Sequence, residues 1–147
     1  MDPIGGAPSP SRSGRKGIVV SSDCPFCKPH PERIIDQGSL TFVLWDAYPV
    51  SPGHALVLTR RHVVSFFETT MEERAELLEC VDRARAAIEV ELKPDGYNIG
   101  INDGAAAGQT VPHLHVHVIP RYRGDSADPR GGVRWILRDR ADYWSGR

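Results

Sequence analysis

Several absences bound this chain before any motif is read. Its 147 residues hold no run of about 18 apolar residues, so no spanning helix is expected. No apolar core follows Met1, and Ile18, Val19 and Val20 are too short a stretch for a secretory signal. Neither sign of charge dominates: 18 Lys and Arg against 19 Asp and Glu leave a formal net charge of −1. That balance lacks the electrostatic footprint for gripping nucleic acid or an anionic membrane. Internal repeats are missing. Cysteine is scarce and odd in number, three in all, and two of them form Cys24-Pro25-Phe26-Cys27. Without an export signal, such a pair points to metal or redox chemistry and not to a disulfide framework. The expectation is one soluble, cytoplasmic domain with neither nucleic acid nor membrane as partner.

Punctuation along the chain gives the organisation. Residues 1–22 begin with Pro, Gly, Ser and Arg and read as a disordered tail. A knuckle follows at 24–27. Residues 33–36 and 40–45 read as paired strands joined through Gln37-Gly38-Ser39, and 54–59 (HALVLT) as a further strand. Thr69 and Thr70, with Glu72 and Glu73, open a helix expected to run to about Leu92, with Leu77, Leu78, Val81, Ala84 and Ile88 on its apolar face. Cys80 within it reads as a small core residue. Pro94 and Gly96 stop the helix, and 97–101 is another strand. Strands outnumber helices and hairpin spacing dominates, which predicts an α+β class with an antiparallel sheet.

The most informative stretch is 104–121, GAAAGQTVPHLHVHVIPR. His113, His115 and His117 alternate with Leu114, Val116 and Val118, the period of a strand that Pro120 is expected to end. Three imidazoles then share one face, beside a Gly/Ala loop whose backbone N–H groups can approach a phosphate. At a rise of ~3.3 Å per residue, His113 and His117 lie roughly 13 Å apart, so one ion cannot easily take all three. A neighbouring pair could share one, so a His-x-His metal site stays open. His115, flanked on both sides, is the best candidate nucleophile. Pro112 removes a ladder donor, so pairing is expected to begin only at His113.

The block His113-Leu-His-Val-His-Val-Ile resembles the histidine triad (HIT) family, Hint-like branch, in its zinc-containing bacterial form. Residues 107–111 and Ile119-Pro120-Arg121 match the wider signature, and the likeness extends to Gly53-His54, Arg61-His62 and Cys24-x-x-Cys27. It covers about 23–122, leaving 123–147 as an extension. The resemblance implies a HIT fold: a five-stranded antiparallel sheet with one long and one short helix, continued across a homodimer. It implies a purine nucleotide substrate, an adenosine phosphoramidate or a dinucleoside polyphosphate, attacked at the α-phosphorus to give a covalent nucleotidyl-histidine. His115 would be the nucleophile, and His117 would lie against the phosphate and assist the leaving group. His54 would support His115 from the neighbouring strand. Gly108, Gln109, Thr110 and Asn102 would meet the phosphate or leaving group, and Asp46 the ribose hydroxyls. Phe26, Phe42 and Leu44 are candidates for the base pocket. Each role has a plainer alternative: Asp46 as a turn residue before Pro49, His54 as a buried core histidine, Asn102 as a turn cap.

Cys24 and Cys27 have the spacing of half a tetrahedral zinc site. The resemblance completes it with His62 and His113, which makes the zinc structural and closed and removes His113 from acid–base work. Plain thiols and a redox pair are the alternatives. The extension, rich in Trp and Arg, is expected either to pack on its own sheet or to bring Arg134 and Trp135 over a partner's site. Two rivals to a hydrolase stand: a nucleotidyltransferase with an acceptor other than water, and a nucleotide-binding scaffold with incidental turnover.

Overall fold

The computed structural model describes residues 23–146. The tail expected over 1–22 therefore lies outside the described residues. Five strands form one sheet: β1 (Ile34–Gln37), β2 (Thr41–Trp45), β3 (Ala55–Thr59), β4 (Gly96–Ile101) and β5 (His115–Arg121). Their order is β1-β2-β3-β5-β4, with every neighbouring pair antiparallel. One long helix, α1 (Met71–Ile88), crosses one face, and a short one, α2 (Arg138–Ala141), lies in the C-terminal extension. The expected α+β fold, a five-stranded antiparallel sheet with one long and one short helix, is the one observed.

Both faces of the central strands are covered. Val43, Ala55, Val57, Val116 and Val118 meet Leu77, Cys80, Ala84 and Ile88 of α1. On the other face Phe42, Leu44, Leu56 and Leu58 lie under Cys24 and Phe26 of the knuckle, with Val111 alongside. All five residues of β3 are buried, which is why that strand reads as continuously apolar and does not alternate. Burying each of these aliphatic side chains contributes roughly 1.5–3 kcal/mol before ordering costs.

Thr70 caps α1 by a reciprocal capping box with Glu73, whose buried carboxylate also takes Arg61 at 2.7 Å. The helix ends at Ile88, short of Leu92, because a turn over 89–91 swings Leu92 back against Gly53. Leu78, expected on the buried face, is 73% exposed. The buried stripe runs Glu73, Leu77, Cys80, Ala84, Ile88, and a residue one step from it is rotated about 100° away.

Two expectations for the histidine strand change. Pairing begins at His115 and not at His113, since the His113 N–H turns back to the Val111 carbonyl and Leu114 N–H goes to Val63. The strand also continues through Pro120 to Arg121. Pro120 lies past the last β3 partner and pairs only with Tyr97 of β4, so its missing N–H costs no ladder bond.

Candidate active site and metal centre

Sheet geometry delivers the histidines as the alternation predicts. Leu114, Val116 and Val118 enter the core against α1, which sends His113, His115 and His117 to the opposite face. His54, immediately before β3, comes alongside because Leu56 pairs with His117. Asp46 follows β2 directly, and its N–H donates to the His54 carbonyl.

Next to β5 the loop over 102–110 is held by its own polar groups. Gly104 and Gly108 adopt φ of +91° and +90°, a region that side-chain-bearing residues resist. The Gln109 side chain accepts from the Gly104 N–H and donates to the Val64 and Val111 carbonyls. Asp103 accepts from Ser65 Oγ and Phe66 N–H, tying the loop to the chain ahead of α1.

These parts enclose a cleft of about 350 Å³ lined by His54, His115, His117, Asp46, Asn102, Gly108, Thr110, Val111 and Phe26. Of the expected site residues, Gln109 alone outside the metal cluster is turned from this cleft, its amide spent on the loop. Of the base-pocket candidates Phe26 lines the cleft, its ring edge-on to His115 at 5.0 Å. Phe42 and Leu44 lie in the apolar cluster beneath. Pro25, Arg33, Tyr48 and Val50 also line it, and no sequence signal had marked them.

Hydrogen bonds to the backbone fix the protons on the rings. His115 Nδ1 lies 2.8 Å from the His113 carbonyl, which can only accept, so Nδ1 carries the proton and Nε2 keeps its lone pair. His54 Nδ1 receives the Val50 N–H at 3.2 Å, so its proton sits on Nε2. That Nε2 donates to His117 Nδ1 at 3.0 Å, with Asp46 Oδ2 3.4 Å away, and leaves the His117 proton on Nε2. Burial holds His117 neutral by pushing its pKa down to about 4, helped by the neighbouring His115 and His54. Burial likewise lowers His54, against the opposing pull of Asp46.

A second cluster gathers around His113, two residues before His115. Ligand atoms of Cys24, Cys27, His62 and His113 all fall within 4.8 Å of one another. His113 Nδ1 is 3.5 Å from Cys24 Sγ and 3.6 Å from Cys27 Sγ, and His62 Nδ1 is 3.2 Å from Cys27 Sγ. The Thr59 carbonyl takes the His113 Nε2–H at 2.7 Å, which frees Nδ1 as a lone pair aimed at the thiols. A buried ring locked in that tautomer against two thiols and a second imidazole fits a tetrahedral zinc. Asp46, His54 and His117 also converge within that limit, yet they do not fit an ion. The Val50 N–H already occupies His54 Nδ1, so Nε2 must keep its proton.

The C-terminal extension lies against its own sheet at Gly132, whose backbone approaches Asn98 of β4. Val133 and Ile136 line a hollow that also reaches His54 and His117. Trp135 stacks edge-on with Trp144, and Arg134 donates to the Ala141 and Arg140 carbonyls. Among the described residues no helix is long and apolar enough to cross a membrane.

Residues 28–124 match the family model described as HIT domain. Among curated proteins the chain is similar to bis(5'-adenosyl)-triphosphatase of Saccharomyces cerevisiae, 33% identical over 116 residues, 78% of this chain and 53% of that protein. It is also similar to AP-4-A phosphorylase of Mycobacterium tuberculosis, 37% identical over 94 residues, 63% of this chain and 48% of that protein. The chain thus spans about half the length of these relatives. Among solved structures, a Zn-bound histidine triad family protein from Mycobacterium smegmatis superposes with a TM-score of 0.64 at 40% identity, covering 72% of this chain and 80% of that one. A HIT family protein from Bacillus anthracis gives 0.65 at 32% identity, over 72% and 78% of the two chains. With its triad strand, its loop and its Cys/Cys/His/His cluster in that common frame, the chain belongs to the HIT family.

Proposed function

We propose that this chain is a nucleotidyl hydrolase that cleaves at the α-phosphorus of a purine nucleotide through a covalent intermediate on His115. The observation that carries the reading is the bond from His115 Nδ1 to the His113 carbonyl, which leaves Nε2 unprotonated in a cleft walled by Phe26. Nε2 attacks phosphorus, the bond from phosphorus to the leaving group breaks, and the leaving group takes a proton. That proton comes from solvent, and the His117 Nε2–H, whose Nδ1 is engaged by His54, donates a hydrogen bond to the leaving atom as charge develops there. Asn102, the Gly108 backbone and Thr110 supply dipoles for the phosphate oxygens, and Asp46 suits two ribose hydroxyls. Water then attacks the phosphorus of the nucleotidyl-histidine, the bond from phosphorus to Nε2 breaks, the water's proton goes to solvent and neutral His115 is restored. Gln109 acts by holding the loop through Gly104.

Dinucleoside polyphosphates are the substrate class supported by the relatives' names, and adenosine phosphoramidates offer the same phosphorus chemistry. The phosphorylase relative favours a second reading, in which inorganic phosphate resolves the intermediate. Cys24, Cys27, His62 and His113 would hold a structural zinc that cross-links the knuckle to the strand and supplies no reactive position. We read 23–122 as the catalytic domain and 123–147 as an extension on it. A homodimer through the outer edge of β4 is supported by that edge having no strand partner among the described residues, with Ile99 49% exposed.

The test is intact-protein mass after quenching, without acid, a reaction with an adenylyl donor. An adenylyl adduct on wild type and none on His115→Ala is expected. Nucleotide binding with no adduct and no turnover in either protein refutes the enzyme and favours the scaffold.

A further inference from the structure

We infer that Arg33 selects the base, favouring a purine whose edge shows two adjacent acceptors, guanine over adenine. The inference rests on the nucleotide reading above. The sheet serves as a ruler. Crossing it from β5 to β1, the cleft meets His115 and His117, then His54 before β3, then Asp46 after β2, and last Arg33 before β1. Three strand spacings separate β5 from β1, roughly 14 Å. With phosphate at the histidines and ribose at Asp46, the base reaches the end where Arg33 stands.

The guanidinium is anchored yet unspent. Arg33 Nε donates to the Trp45 carbonyl at 3.0 Å. No other hydrogen bond or ion pair engages it among the described residues. Asp46, the carboxylate that lines the cleft with it, is committed elsewhere: Oδ1 takes the Tyr48 N–H at 2.7 Å and Oδ2 faces His54. With Nε fixed, the two terminal nitrogens form a planar pair of donors at the cleft wall. Guanine N7 and O6 accept both, whereas adenine presents N7 beside an amino group that is itself a donor. Phe26 and Pro25 supply the apolar surface against which a base can lie.

The experiment compares the 5'-phosphoramidates of adenosine, guanosine and inosine by kcat/KM, and AMP, GMP and IMP by calorimetric Kd. Inosine keeps N7 and O6 but lacks the 2-amino group, so it isolates the edge that Arg33 would read. The variant is Arg33→Gln, whose amide nitrogen sits where Nε was and keeps the bond to Trp45 while both terminal nitrogens are lost. Arg33→Met is the second variant, with far-UV circular dichroism as the folding check on each. Guanosine and inosine should exceed adenosine by roughly tenfold in wild type, and the variants should bring the ratio near one. Equal or adenosine-favouring values in wild type overturn the inference and leave the hydrolase intact. A guanosine preference that survives both variants also overturns it. Failure of all three amidates to turn over speaks against the hydrolase alone, and the Kd ratios still decide the role of Arg33.

Discussion

Replacing His117 with Gln tests whether the site keeps this imidazole neutral by burial. The folded ring titrates at about 4 against 6.5 when unperturbed. Above pH 6.5 the ring is neutral in folded and unfolded chains alike, and it adds no pH dependence. Between those values the unfolded chain takes up a proton that the folded chain refuses. Stability is therefore lost as pH falls through this window, by about 1.4 kcal/mol per pH unit. From pH 7 to pH 4.5, His117 should remove about 2 kcal/mol of wild-type stability. His117→Gln loses the bond to His54 Nε2 at both pH values, so that cost cancels when the two slopes are compared. Urea denaturation at pH 7 and 4.5, with the slope m checked for constancy, reads both proteins. Wild type should lose about 2 kcal/mol more than the variant on acidification. Equal losses, to within about 0.5 kcal/mol, would refute the argument that burial sets this ring's charge.

Further tests address the other parts of the site and fold. His54→Ala removes the donor that holds His117 in its tautomer and should cut kcat/KM by roughly 100-fold at pH 7, read with a fluorogenic nucleotide substrate. Cys24→Ser should abolish stoichiometric zinc by elemental analysis and lower Tm by roughly 10 °C, and a chelator should reproduce the shift in wild type. Glu76 accepts hydrogen bonds from Ser39 Oγ, Leu40 N–H, Thr41 N–H and Thr41 Oγ, clamping α1 to the β1–β2 turn, so Glu76→Gln should cost about 1–3 kcal/mol by urea unfolding. Those bonds hold its carboxyl at about 2 despite the desolvation that opposes them, so the wild-type contribution is present above 4.5 and is lost as pH falls towards 2. Gly38→Ala should cost stability too, since an added Cβ would fall on the Glu76 carboxylate.

The amino-acid order alone determined the periodic and the local. Alternation at His115 and His117 put two imidazoles on one sheet face, because a strand's side-chain period is two, and His113 joins them from the bend just before β5. The Thr70–Glu73 box announced the start of α1, as both its bonds lie within one turn. Cys24-x-x-Cys27 announced half a metal site for the same reason of short range. The end of α1 was not legible, because it depends on Leu92 finding Gly53, nearly forty positions away. Continuation of β5 through Pro120 depended on where β3 stops, which no local signal carries. The ring protons were decided by backbone groups at very different ranges: Thr59 beside His113 across 54 positions of sequence, but Val50 beside His54 across four and the His113 carbonyl beside His115 across two, where the fold of the chain and not the spacing sets the orientation. Arg33 had no motif at all. Its place in the cleft follows from the β1–β2 hairpin laying its guanidinium on the Trp45 carbonyl. Residue types at short spacing can name a chemistry, but which nitrogen holds the proton and which cation lines the cleft are set by backbone atoms that only the folded chain orients.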